Sequence, residues 1–123
     1  MKEAGDRLTE DIPEEQRRVI FSSSKTTQGK SKYFLESNDK IRHFFEAEAL
    51  DENGKLLVDR KISLNKVGHA LHWLHPIFRK YSYGDKVKNL CKTLGLQEPK
   101  IVQSMYIYKN PGIGSEGKCE SKI

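Results

Sequence analysis

Apolar positions in this chain come in short, separated groups, and their spacing changes along its length. Leu64, Val67, Leu71 and Leu74 fall at i, i+3, i+7 and i+10, the period of one helix face. That spacing predicts a helix from Ser63 to His75, capped by the Ser63 hydroxyl and ended or kinked by Pro76. A second helix is predicted from Asp85 to Leu94 with Asp85 as its cap. Val87, Leu90, Cys91 and Leu94 form its apolar face, and Gly95 and Pro99 stop it. Ile101 to Tyr108 alternates as a strand, with Ile101, Met105 and Ile107 on one side and Val102, Tyr106 and Tyr108 on the other. Both sides are largely apolar, so the strand expects cover on both faces. Val19-Ile20-Phe21 reads as a short strand, and Tyr33-Phe34-Leu35 with Ile41–Phe45 as a hairpin turned at Ser37-Asn38-Asp39. Asp51-Glu52-Asn53-Gly54 is a second turn, followed by Leu56-Leu57-Val58 as a short pairing or an ordered loop. Lys2 to Glu10 reads as a charged helix with little to bury, closed by Pro13. Ser22 to Ser31 reads as a loop and Pro111 to Ile123 as a disordered tail.

Composition narrows the class. The 123 residues suffice for one small domain, 36% are hydrophobic and 32% charged. The net charge of +5 suits an acidic ligand, but Lys and Arg are interleaved with Asp and Glu rather than clustered. Tyr106, Tyr108 and Phe44-Phe45 therefore read as core side chains rather than base-stacking platforms, and no nucleic-acid partner is expected. Cys91 and Cys119 form no CxxC, which excludes a zinc ribbon or redox pair. No signal peptide opens the chain and no apolar run approaches membrane length, so no membrane partner and a cytoplasmic location are expected.

His69, His72 and His75 are spaced to share one predicted helix, but no acidic residue joins them at metal-binding spacing. None of the four histidines is followed by the x-Asp or x-Glu that completes the local iron signature of non-haem oxygenases.

Three stretches are more specific than any of these motifs. They are Tyr33 to Glu46 (YFLESNDKIRHFFE), Leu64 to His72 (LNKVGHALH) and Val102 to Lys109 (VQSMYIYK). In this order they resemble the phytanoyl-CoA dioxygenase family of Fe(II)/2-oxoglutarate dioxygenases, over about Arg7 to Gly114. The resemblance implies an α+β chain: the N-terminal helices and first strands of an incomplete double-stranded β-helix, the jelly-roll or cupin-like fold. Residues 1–111 would be a partial dioxygenase domain and 112–123 a divergent tail. Two 2-oxoglutarate-binding positions are implied. Met105 matches a pocket methionine, and Lys61 is the candidate for a lysine that precedes the Asn-Lys-x-Gly-His stretch, although an ungapped alignment puts Ile62 there. The family continues after Gly114 with Gly-Glu-Val and then Pro-His-Gln-Asp, whereas this chain reads Ser115-Glu116-Gly117-Lys118-Cys119-Glu120. No catalytic residue and no metal ligand is therefore expected here; this chain alone is expected to bind neither Fe(II) nor 2-oxoglutarate, the cofactors of the intact family, and not to decarboxylate 2-oxoglutarate. The intact family would act on a small-molecule substrate such as a fatty acyl-CoA. The alternative is a non-catalytic module that binds a protein partner or itself through exposed strand edges. Ser121-Lys122-Ile123 resembles a peroxisomal address but lies in the divergent segment, so it is not expected to work as one.

Overall fold

A computed structural model describes residues 1–12, 19–20 and 31–114. Its elements run α1 (Lys2–Glu10), β1 (Val19–Ile20), α2 (Lys32–Leu35), β2 (Ile41–Phe45), β3 (Leu64–His69), α3 (Leu71–Leu74), α4 (Pro76–Ser82), α5 (Asp85–Thr93) and β4 (Ser104–Ile107), with 3-10 turns at Ala47–Ala49 and Arg60–Ile62. The strands form one sheet in the order β1-β2-β3-β4. β1 is parallel to β2, and the other two pairings are antiparallel. This is the mixed α+β composition the sequence predicts.

The segment before Pro76 departs from the predicted helix. Leu64–His69 is a strand, and only Leu71–Leu74 is helical. β3 is an inner strand of the sheet, as β2 is, and is buried nearly throughout, so it lacks the polar-apolar alternation that marks a half-exposed strand. Gly68 pairs with Arg42 on one side and Met105 on the other. A Cβ at Gly68 would lie 3.1 Å from Met105 Cβ and 3.2 Å from Ser104 O, so glycine permits this close strand approach. Pro76 does interrupt the helix: α3 ends at His75, and Pro76 occupies the first turn of α4.

Tyr33-Phe34-Leu35 is also helical rather than half of a hairpin. Ser31 caps the turn by accepting a hydrogen bond from the Phe34 amide. Tyr33 and Phe34 then pack edge-on against Phe44, at ring separations of 5.5 and 5.7 Å. The Asp51 turn is as predicted: its carboxylate accepts from the Asn53 and Lys55 amides, and Leu50 bridges to Leu56.

α1 buries more than its charge suggests. Ala4 and Leu8, with Ile12 just beyond, pack on Phe45, Leu50, Leu64, Val67, Leu71 and Phe78. Tyr108 Oη donates to Gly5 O, His43 Nε2 to Leu8 O, and Arg60 to Ile12 O, at 2.8, 3.0 and 2.8 Å. These bonds fasten the helix and the residues after it to the rest of the fold, and the one to Leu8 O occupies a carbonyl of the last helical turn.

α5 has the predicted extent, although Gly84 rather than Asp85 stands at its N-cap, and Gly95 takes a φ of 74°. Its predicted apolar face is not packed. Leu90 and Leu94 are exposed and Cys91 is half-buried. In α3, Leu71 is buried while Leu74 is exposed. β4 is shorter than predicted, and Val102 is 85% exposed. The predicted Ser22 to Ser31 loop, the Pro13 stop, Cys119 and Ser121-Lys122-Ile123 lie wholly or largely outside the described residues. No helix among the described residues is long and apolar enough to cross a membrane.

Candidate functional site

The sheet has two unlike faces. His43, Phe45, Val67 and Tyr106 look toward α1 and the main core. Register places Arg42, Gly68 and Met105 in one row of the opposite face and Phe44, Lys66 and Ile107 in the next. α2 covers the Phe44 end of this second face with Tyr33 and Phe34. Toward β4 the cover thins: Met105 is half-buried and Ile107 is 46% exposed. Gly68 stands between the Arg42 and Met105 positions, and Met105 and Ser104 fill the place of its missing side chain.

Lys66 and Arg42 are the basic groups that register places on this face, and Lys66 is the more buried. It is 9% exposed. Burial pushes its ammonium below the usual lysine range, the Glu46 carboxylate opposes that shift, and Lys109 adds to it. Glu46 is itself buried and accepts a hydrogen bond of 2.9 Å from Asn65 Nδ2. The backbone at Gly114 lies close against the same carboxylate, where a Cβ would stand 2.6 Å from it. Arg42 is held at the other end of the face, donating to Tyr33 O and lying 4.4 Å from the Tyr33 ring centre.

Of the two predicted cofactor contacts, Met105 lies on this face. Lys61 lies on the exposed turn Arg60–Ile62 ahead of β3, where its amide is tied to Asp59 Oδ1. Sequence reasoning overlooked Lys66, although it stands inside the Asn65 to His69 stretch that carries the family resemblance. The signal was strand alternation: in an extended segment, Lys66 and Gly68 share a face, and Gly68 is the register partner of Met105.

The histidines do not share a helix face. His69 is in β3, His72 in α3, and His75 joins α3 to α4. His43 Nε2 is bonded to Leu8 O, His69 Nδ1 to Ser37 and His72 Nδ1 to Ser104. Among the described residues no group of three His, Cys, Asp or Glu could hold a metal ion. A separate open groove of about 850 Å³ runs along the helices between Trp73, Arg79, Tyr83 and Asp85, with Arg79 lying 5.2 Å from the Trp73 ring centre.

No family model matches the chain. Individual proteins do. It is 48% identical over 110 residues to phytanoyl-CoA dioxygenase domain-containing protein 1 of Danio rerio, covering 86% of this chain and 38% of that protein. Its mouse (Mus musculus) counterpart is 54% identical over 90 residues, covering 73% of this chain and 31% of that protein. The phytanoyl-CoA dioxygenase of Arabidopsis thaliana is 45% identical over 97 residues, covering 79% and 34%. The chain thus spans less than two-fifths of the length of these curated relatives.

Proposed function

Because the chain belongs to the phytanoyl-CoA dioxygenase family, we propose that it supplies part of a non-haem Fe(II)/2-oxoglutarate dioxygenase domain, the Lys66–Met105 face being its contribution to the 2-oxoglutarate pocket. The observation that carries this reading is the register of β3 and β4, which sets a buried lysine and the predicted pocket methionine on one thinly covered face. An ammonium held in a partly desolvated place attracts a carboxylate more strongly than one in water, because the effective dielectric is lower. The Met105 thioether and Ile107 offer apolar contact to a ligand's carbon chain. Lys66 takes the role first assigned to Lys61, whose turn lies off this face.

In this reading the sheet is one wall of a double-stranded β-helix. The iron, when bound, supplies the oxygen chemistry, and its ligands lie outside the described residues. The chain alone does not turn over 2-oxoglutarate, and the acyl-CoA-type substrate belongs to the intact enzyme. The chain is placed in the cytoplasm, and a reporter ending in Gly112 to Ile123 stays diffuse; punctate import of that reporter would reverse the placement.

The test is binding of 2-oxoglutarate to the full chain by NMR titration. Lys66→Met is expected to weaken binding about tenfold, the loss of one charge-assisted contact of roughly 1.4 kcal/mol. Lys61→Met is expected to leave binding unchanged. Equal effects of the two substitutions, or none from Lys66→Met, would refute the assignment.

A further inference from the structure

Charge is interleaved along most of this chain, but not around α5. Residues 79–100 hold six of the 22 basic residues and two of the 17 acidic ones, a net +4 of the total +5. They are Arg79, Lys80, Lys86, Lys88, Lys92 and Lys100 against Asp85 and Glu98, and all eight are exposed.

α5 carries three of these lysines beside an apolar stripe that nothing covers. None of its nine residues is buried. Val87 and Cys91 are half-buried, and Leu90 and Leu94 are 58% and 66% exposed. At 3.6 residues per turn these four side chains share one side of the helix, roughly a third of its circumference. Lys86 borders the stripe on one side and Lys88 on the other, with Lys92 one turn on from Lys88. Lys88 stands 3.9 Å from Asp85, whereas Lys86 and Lys92 make no ion pair among the described residues. Leu96, also exposed, extends the apolar surface past the helix end.

We propose that α5 is a lipid-contact helix, its Val87–Leu90–Leu94 stripe lying on an anionic membrane surface and its flanking lysines reaching the headgroups. An apolar protein surface would leave the lysines without counter-charge. An anionic bilayer offers both properties in the order the helix presents them, charge at the headgroups and hydrocarbon just beneath. Lysine stems lie along apolar surface while their ammonium groups stay among water and headgroups. A helix lying flat needs one apolar stripe, not the membrane-length run that the described helices lack.

The experiment is co-sedimentation of the full chain with vesicles of phosphatidylcholine alone or mixed in equal parts with phosphatidylserine. It is run at a concentration at which the chain without lipid stays in the supernatant. The chain should pellet with the mixed vesicles and not with phosphatidylcholine alone. Binding should fall as added salt shortens the screening length from about 10 Å at 0.1 M to about 3 Å at 1 M. Lys86→Gln and Lys92→Gln should each weaken binding about fivefold, and Leu90→Ser and Leu94→Ser about tenfold each. These side chains are exposed, so the variants should keep the circular dichroism of the unsubstituted chain. Lys55→Gln, in the exposed turn after Asp51, should leave binding unchanged. No pelleting with the mixed vesicles would overturn the proposal, as would equal losses from Lys55→Gln and Lys92→Gln. Retention on immobilised poly-glutamate without vesicle binding would assign the face to an acidic protein instead. Self-association abolished by Leu90→Ser, again without vesicle binding, would assign it to a second copy of the chain; either result refutes the lipid contact.

Discussion

Gly5→Ala sets two effects of opposite sign against each other. Gly5 lies in the second turn of α1, and in a solvated helix alanine there would be worth about 0.8–1.0 kcal/mol over glycine. Its Cα instead faces Tyr106 so closely that an alanine Cβ would overlap the ring, and it would stand 2.7 Å from the Tyr106 hydroxyl. The ring has little freedom to yield: Phe78 meets it edge-on at 5.9 Å and Tyr108 at 5.1 Å. Overpacking in a filled core costs roughly 1–3 kcal/mol. If α1 moves outward instead, the Tyr108–Gly5 hydrogen bond lengthens and Leu8, now 3% exposed, loses part of a burial worth about 1.5–3 kcal/mol. Either response exceeds the propensity gain, so the expected net change is a destabilisation of about 1–2 kcal/mol. Urea unfolding followed by tyrosine and tryptophan fluorescence measures it, with Asp6→Ala on the exposed side of the same helix as the control. A Gly5→Ala protein as stable as the unsubstituted chain, or more stable, would refute the docking of α1 on Tyr106.

Acidification should weaken the fold. Burial holds both His43 and His69 below the ordinary histidine value of 6.5. The unfolded chain therefore takes up protons near that value before the folded chain does, and stability drops as pH falls below 6.5 until the folded-state values are passed. The slope can reach about 1.4 kcal/mol per pH unit per group, and urea midpoints at two pH values on either side of 6.5 measure it; a midpoint that rises on acidification contradicts the burial of both rings. Gly68→Ala should cost about 1–3 kcal/mol, because its Cβ would meet Met105 and Ser104 at 3.1 and 3.2 Å; thermal melting with no shift would mean that β3 and β4 are not so closely paired. The chain alone should form no succinate from 2-oxoglutarate with added iron, and chelator-sensitive succinate formation would overturn that expectation. With Leu90, Leu94 and Ile107 exposed and β4 at the sheet edge, the purified chain should self-associate as its concentration rises; a monodisperse monomer throughout a sedimentation series would argue against it.

The sequence by itself determined the elements whose signals are local. α5 is set by its period and by Gly95, whose φ of 74° most residues avoid. The Asp51–Gly54 turn is set by a carboxylate bonding its own following amides. Ile41–Phe45 and Ser104–Ile107 follow from runs of apolar and aromatic residues. The resemblance carried by residues 33–46, 64–72 and 102–109 reached the family, because it rests on residue identity rather than on conformation.

Only the tertiary structure decided the rest. Leu64 to Leu74 has helical spacing, yet its first half is an inner strand because two neighbouring strands satisfy its amides and a glycine admits Met105 beside it. An inner strand buried on both faces carries no alternation for a sequence to display. Tyr33–Leu35 coils rather than extends because Ser31 caps it and Phe44 gives its rings a surface to meet. The apolar stripe of α5 states only that it can be buried; whether anything covers it depends on which surfaces reach it, and Leu90 and Leu94 remain exposed. The candidate site followed the same rule: Lys61 and Lys66 are alike as letters, and strand register alone puts Lys66 on the face of Met105.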